Sequence, residues 1–131
     1  MNLFLDDIRS PLYVKNKMGI MYPEEWVVVR NYFDFINIVE KKFDDIQLIS
    51  FDHDIASYKN EKEFTGKDAV DYVINICIDN NKKFPNWFVH TDNVVGRPNM
   101  IGTILNYMKH FENNNIIWRY YNNGIIDGVI I

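Results

Sequence analysis

The sequence predicts a three-layer α/β domain, a mainly parallel five-stranded sheet with helices on both faces. Three observations carry that expectation. Short apolar runs rich in β-branched residues alternate with longer stretches whose apolar residues recur at helical spacing. No repeat, linker or low-complexity tract breaks the alternation. The chain of 131 residues is long enough to bury one sizeable core, so residues 1–131 read as a single domain.

Residues 2–5, NLFL, are the first apolar run, and it stops in Asp6-Asp7 as a buried strand does at a sheet edge. Residues 8–25 contain Pro11, Gly19 and Pro23 and read as irregular. WVVVR (26–30) is the second strand. NYFDFINIVEKKF (31–43) sets Phe33, Ile36, Val39 and Phe43 near helical spacing, and IQLISF (46–51) is the third strand. After a polar loop, GKDAVDYVINICIDNN (66–81) places Ala69, Val70, Val73, Ile74, Cys77 and Ile78 on one helical stripe. Thr65 followed three residues later by Asp68 is a variant of the capping box. WFVHT (87–91) is the fourth strand, and PNMIGTILNYMKHF (98–111) is a helix opened by Pro98. NIIWRYY (115–121) reads as the fifth. The Asn-Asn-Gly that follows marks a tight turn, so a C-terminal hairpin over 116–131 is also expected. Such an apolar tail needs cover, from its own sheet or from a second copy of the chain in a homodimer.

Composition narrows the function. Hydrophobic residues make up 47% and charged residues 24%, ordinary for a folded soluble domain. A net charge of −4 excludes a broad basic surface, so extended duplex nucleic acid is not an expected partner. A site for one nucleotide or one strand end needs only two or three cations and stays open. Cys77 is the single cysteine, so no internal disulfide forms and a reducing compartment fits. No apolar stretch approaches the roughly 20 residues of a membrane span. MNLFLDDIR lacks the basic start of a secretory signal, and a cytoplasmic location is expected.

In open parallel sheets, ligands bind beyond the carboxyl ends of the strands, at the switch in strand order. Asp6-Asp7, Asp52-His53-Asp54 and His90-Thr91 all fall at such ends. In a flavodoxin-like order the strands that carry them are neighbours, about 4.8 Å apart. Clustered carboxylates repel unless a cation neutralises them, and hard oxygen donors suit Mg²⁺ or another divalent cation. Asp6, Asp7 and Asp52 form the metal-facing set, joined by Asp54, which shares a face with Asp52 in extended chain. The alternative for Asp6 and Asp7 is a turn cap. His53 and His90 titrate near neutrality and fit an acid–base pair for hydrolysis of a phosphate ester. Their alternative is a hydrogen bond to a neighbouring carboxylate or carbonyl. Arg9 and Arg97 are candidate phosphate ligands, Arg97 at a helix start that offers free N–H groups, with surface ion pairs as the alternative. Asn93 and Asn99 add hydrogen-bonding capacity, Arg30 ends the second strand and serves either the site or a structural pair with an acid, and His110 reads as a solvated surface residue.

Two resemblances follow from these blocks. An acidic pair after strand one, an Asp after strand three and a Thr after strand four resemble response-regulator receiver domains. That resemblance implies Asp52 as phosphoryl acceptor, Asp6 and Asp7 as Mg²⁺ ligands and Thr91 as switch residue. The receiver lysine after strand five has no counterpart, since IIWRYY offers only Arg119, and the helix expected between strands one and two is not evident. LFLDDIRSP, WVVVRNYFDF, ISFDHD, TGKDAVDYV and VHTDNVVGRPNM resemble, in order, the blocks of the cyclic-phosphate processing receiver domain family. This implies a phosphoesterase acting on the cyclic phosphate of a nucleotide, a nucleotide derivative or an RNA end. The site residues implied are Asp6, Asp7, Arg9, Asp52, His53, Asp54, His90, Asn93, Gly96, Arg97, Asn99 and Met100. The competing functions are a signalling receiver and a module that binds a cyclic nucleotide without chemistry.

Overall fold

The computed structural model describes residues 1–18, 22–112, 116–121 and 124–130. Its central sheet is parallel and four-stranded, built from β1 (Asn2–Leu5), β2 (Val27–Val29), β3 (Leu48–Phe51) and β6 (Asn86–Val89) in the order β2-β1-β3-β6. The order places β1, β3 and β6 side by side, with Leu5 level with Phe51 and Phe51 level with Val89. Their carboxyl ends therefore open onto one edge of the sheet.

The helices are α1 (Pro11–Met18), α2 (Tyr32–Lys42), α3 (Gly66–Asn80) and α4 (Gly96–Glu112). One face of the sheet presents Leu3, Leu5, Ile49, Phe51, Trp87 and Val89 to Phe35 and Val39 of α2, Val70, Val73 and Cys77 of α3, and Met100 and Ile104 of α4. Burying each such side chain contributes about 1.5–3 kcal/mol before entropy is counted. Trp87 anchors α4 by aiming its indole N–H at the Met108 sulfur, 3.4 Å away. The opposite face carries a smaller cluster of Phe4, Val14, Tyr22 and Phe88, with Trp26 and Leu48 packed against it.

Capping fixes where the helices begin. The Asn31 side chain accepts the Asp34 N–H at 2.8 Å ahead of α2. Before α3, Asp68 accepts the Thr65 N–H at 2.8 Å and Thr65 Oγ1 accepts the Lys67 N–H at 3.2 Å. Burial raises the Cys77 thiol to about 12, which keeps it protonated and inert.

Three features differ from the sequence expectation. Residues 11–18 form a helix where irregular chain was expected. Ser10 Oγ caps it by accepting the Tyr13 N–H at 3.1 Å, and Pro11 opens its first turn. The polar loop contains a hairpin, β4 (Ser57–Lys59) and β5 (Lys62–Phe64), turned at Asn60 and Glu61 with φ of 51° and 64°. Finally, the fifth strand expected at 115–121 is not part of the parallel sheet. β7 (Ile116–Tyr121) pairs antiparallel with β8 (Gly124–Ile130), which lies beside β6. A short connection makes that local pairing cheaper in loop entropy than a return to the parallel sheet. The expected hairpin is thus observed over 116–130, and the sheet has four strands among the described residues.

Both central residues of the β4–β5 turn sit in the left-handed region, where glycine carries no steric penalty. Glu61→Gly is expected to stabilise the fold by about 0.5–1 kcal/mol, read as a rise of a few degrees in Tm. An unchanged or lower Tm would show that the turn carries no strain.

Candidate active site

Asp6 directly follows β1, and its side chain is wholly buried. Asp6 Oδ1 accepts the N–H groups of Ile8 at 3.0 Å and Arg9 at 2.8 Å, so the chain wraps around the carboxylate as it leaves the strand. Oδ2 lies 3.0 Å from His90 Nε2. Burial alone would raise this carboxyl, but the hydrogen bonds from His90, Arg9 and Ile8 outweigh it and lower it to about 2.

Asp52, at the end of β3, is 3% exposed. Its Oδ1 accepts the His53 N–H at 2.8 Å, and among the described residues no donor meets Oδ2. Burial first, and then the charge of Asp6, push the Asp52 carboxyl above its ordinary value. One oxygen or nitrogen from each of Asp6, Asp52 and His90 lies within 4.8 Å of the others.

Two glycines set the course of the chain after Asp52. A Cβ on Gly66 would lie 1.7 Å from the Asp52 carbonyl oxygen, so α3 starts directly against that peptide. The Gly66 N–H donates to the His53 carbonyl at 2.7 Å. A Cβ on Gly96 would lie 2.4 Å from the His53 ring, so the imidazole packs flat on the first residue of α4. Its Nδ1 is 2.8 Å from Asp54 Oδ1. The Asn93 amide reaches the other Asp54 oxygen at 3.1 Å, and Asn93 Oδ1 accepts the Gly96 N–H at 2.7 Å. Asn93 and then His53 hold Asp54 below the usual carboxylate range.

A cleft of about 440 Å³ opens at these strand ends. Asp7, Arg9, Asp52, Asp54, Thr91 and Asn93 line it, together with Ile8 and Asp92, which the sequence reading did not single out. Asp6 and His90 stand buried behind Asp52, and His53 sits at the side on Asp54 and Gly96. Arg97 and Asn99 are outside the lining. The Arg97 guanidinium donates to the carbonyls of Val89 and Thr91, and burial lowers its pKa. The Asn99 side is exposed, and its carbonyl accepts the Thr103 hydroxyl at 2.7 Å. Arg30 braces the β1–α1 loop through the carbonyls of Asp6 and Arg9. Lys17 bonds both Asp92 oxygens at 2.7 Å, and Arg9 lies 3.7 Å from the same carboxylate.

A parallel sheet with flavodoxin-like strand order and an acidic cleft at its carboxyl edge defines the class: a receiver-like α/β domain. Residues 1–106 match the family of the cyclic-phosphate processing receiver domain, and the chain belongs to it. No curated protein and no solved structure gave a significant match. The family gives the domain a role related to cyclic-phosphate processing. No helix among the described residues is long and apolar enough to cross a membrane.

The geometry has two consequences for stability. Asp6 has a depressed carboxyl, so the stability it contributes is present above its unfolded value of 3.8 and is lost as pH falls towards about 2. Urea titrations across that window should show a loss of about 2 kcal/mol in the wild type that Asp6→Asn lacks. Parallel slopes for the two proteins would refute the assignment. Asp52 behaves oppositely, because its raised carboxyl makes the charged form a burden at neutral pH. Asp52→Asn keeps an acceptor for the His53 N–H and should raise stability without added cation by about 1 kcal/mol, seen in Tm. A fall in Tm would contradict a penalty on the charged form.

Proposed function

We propose that the domain hydrolyses a cyclic phosphate of a nucleotide, a nucleotide derivative or an RNA end, assisted by a divalent cation. The observation that carries this reading is that three neighbouring strand ends share one cleft: β1 supplies Asp7 and Arg9, β3 supplies Asp52 and Asp54, and β6 supplies Thr91 and Asn93. A phosphate cannot approach such a group of carboxylates unless a cation stands between them. The donors fit one. Asp7 has no protein partner among the described residues, and Asp52 keeps Oδ2 free in a site where burial, and then the charge of Asp6, have raised its carboxyl. Hard oxygens of this kind fit Mg²⁺, which keeps several waters and shares its coordination with phosphate. Asp7 and Asp52 would hold it, with Asp54 at the margin and Asp6 enforcing the charge from behind. When bound, such a cation supplies charge neutralisation and acidifies water.

Arg9 is half-buried. Its Nη1 donates to the His90 carbonyl at 3.3 Å and lies 3.7 Å from Asp92, and its Nε lies 3.7 Å from Asp6. Its remaining N–H groups are the ones offered to a phosphate oxygen. The Thr91 hydroxyl accepts the Asn93 N–H at 3.1 Å and keeps its own proton for a second phosphate oxygen. Arg97 holds the loop after β6 rather than substrate, and Asn99 lies in α4 outside the cleft lining. His53 is the acid–base group of this reading. A neutral imidazole whose Nδ1–H faces Asp54 has its lone pair on Nε2. His53 takes the proton of the attacking water as the new P–O bond forms. It returns that proton to the ester oxygen released as the ring P–O bond breaks, leaving a phosphomonoester. A second reading, a phosphoryl group on Asp52, draws on the same free Oδ2.

Incubation with nucleoside 2′,3′-cyclic phosphates should give monoester with Mg²⁺ and none after chelation. His53→Ala should lower kcat by about 10²-fold or more. Ligand bound but recovered intact would make this a binding module, and labelling of Asp52 by a small phosphodonor would favour the second reading. Absence of turnover with any cyclic phosphate would sink the proposal.

A further inference from the structure

Ser50 lies in the middle of β3, level with Phe4 on one side and Phe88 on the other, and is fully buried. A hydroxyl in such a row must find partners or lose its hydration without compensation. Its oxygen is 2.6 Å from the Tyr22 hydroxyl and 2.7 Å from His90 Nδ1. His90 Nε2 is in turn 3.0 Å from Asp6 Oδ2, and the imidazole stacks on Phe4 with centroids 4.7 Å apart and planes 4° apart. Four side chains from 6 to 90 in sequence thus form one buried line.

The protons along that line can be counted. Tyr22 is buried, which drives its phenol well above the ordinary range and keeps it protonated, so it donates to Ser50. The Ser50 hydroxyl then has to place its own proton. Among the described residues, His90 Nδ1 is the remaining partner of that oxygen, apart from Tyr22. Nδ1 therefore accepts and carries no proton. The ring proton is on Nε2, where the Asp6 carboxylate accepts it. An imidazolium would put protons on both nitrogens and leave the Ser50 proton buried with no acceptor.

We propose that Ser50, whose oxygen is already taken by the Tyr22 phenol, is the positioning residue that locks His90 as the neutral Nε2–H tautomer, a fixed donor to Asp6. The lock excludes His90 from proton transfer and leaves His53 as the histidine that exchanges protons with substrate. That consequence rests on the cyclic-phosphate reading; the lock itself does not.

Long-range ¹H–¹⁵N spectra of the full chain at neutral pH read the tautomer directly. His53→Ala and His110→Ala identify the remaining ring as His90. The wild type should show a pyridine-like Nδ1 and a pyrrole-like Nε2 at His90. Tyr22→Phe should keep that pattern, because Ser50 still donates, and it retains the ring in the aromatic cluster. Ser50→Ala removes the hydroxyl proton that forbids a second ring proton and should let a detectable fraction of His90 become imidazolium. An Nδ1–H tautomer or an imidazolium in the wild type would overturn the proposal, and so would an Ser50→Ala spectrum identical to the wild type. Should Ser50→Ala not fold, the wild-type and Tyr22→Phe spectra still decide it. The spectra require no turnover, so an inactive protein with the Nε2–H tautomer would refute the hydrolase reading and leave the lock standing.

Discussion

A buried carboxylate organises this edge of the sheet. Asp6 has no access to water, and a charge in that position persists only if the surrounding chain supplies donors. Those donors come from two directions. The N–H groups of Ile8 and Arg9 define how the chain leaves β1, and His90 fixes how it leaves β6. Removing either set would leave a buried charge only partly compensated, which is more costly than never having placed it there. The same charge acts on Asp52, whose carboxyl it helps to raise. One interaction therefore shapes the backbone of two loops and the electrostatics of the third strand end.

The Asp52-His53-Asp54 segment is fixed differently, by clearance rather than charge. Gly66 and Gly96 open α3 and α4, and each lies where a side chain would strike the segment. At Gly66 the obstacle is backbone, which cannot swing aside, while at Gly96 it is the face of an imidazole. Asn93 completes the arrangement by capping α4 with one end of its amide and holding Asp54 with the other. The carboxylates and His53 thus rest on helix starts that pack onto the sheet core, rather than on a free loop.

Much of this was legible from residue pattern. β1, β3 and β6 are buried runs that end in polar residues, and the strand-end rule brought Asp7, Arg9, Asp52, Asp54, Thr91 and Asn93 to one cleft. α1 was not legible because Val14 is its buried apolar residue while Leu12 and Tyr13 face solvent, so no stripe forms. Ser10-Pro11 was its available signal. The β4–β5 hairpin turns on Asn-Glu, without the glycine that marks such turns. The direction of Arg97 is set by loop carbonyls that become its neighbours after folding. Tyr22 and Ser50 are 28 residues apart, and nothing in the irregular stretch around Tyr22 points to a partner. A lone hydroxyl within LISF was the one hint, since a buried strand seldom carries a polar atom without a use for it.

The charge balance of the cleft bears on the order of binding. Asp7, Asp52, Asp54 and Asp92 face Arg9, and Asp92 already shares its charge with Lys17. An anion entering first meets a net negative field at close range, where each like-charge contact costs on the order of 1–4 kcal/mol between water and a protein surface. A cation entering first relieves Asp52 of the repulsion from Asp6 and turns the cleft towards phosphate. Under the proposed reading, binding is therefore ordered, cation before phosphate, and Arg9 engages the substrate only at the second step. Under that reading, the cost of keeping Asp52 charged while buried beside Asp6 is what would favour a cation over water in this cleft.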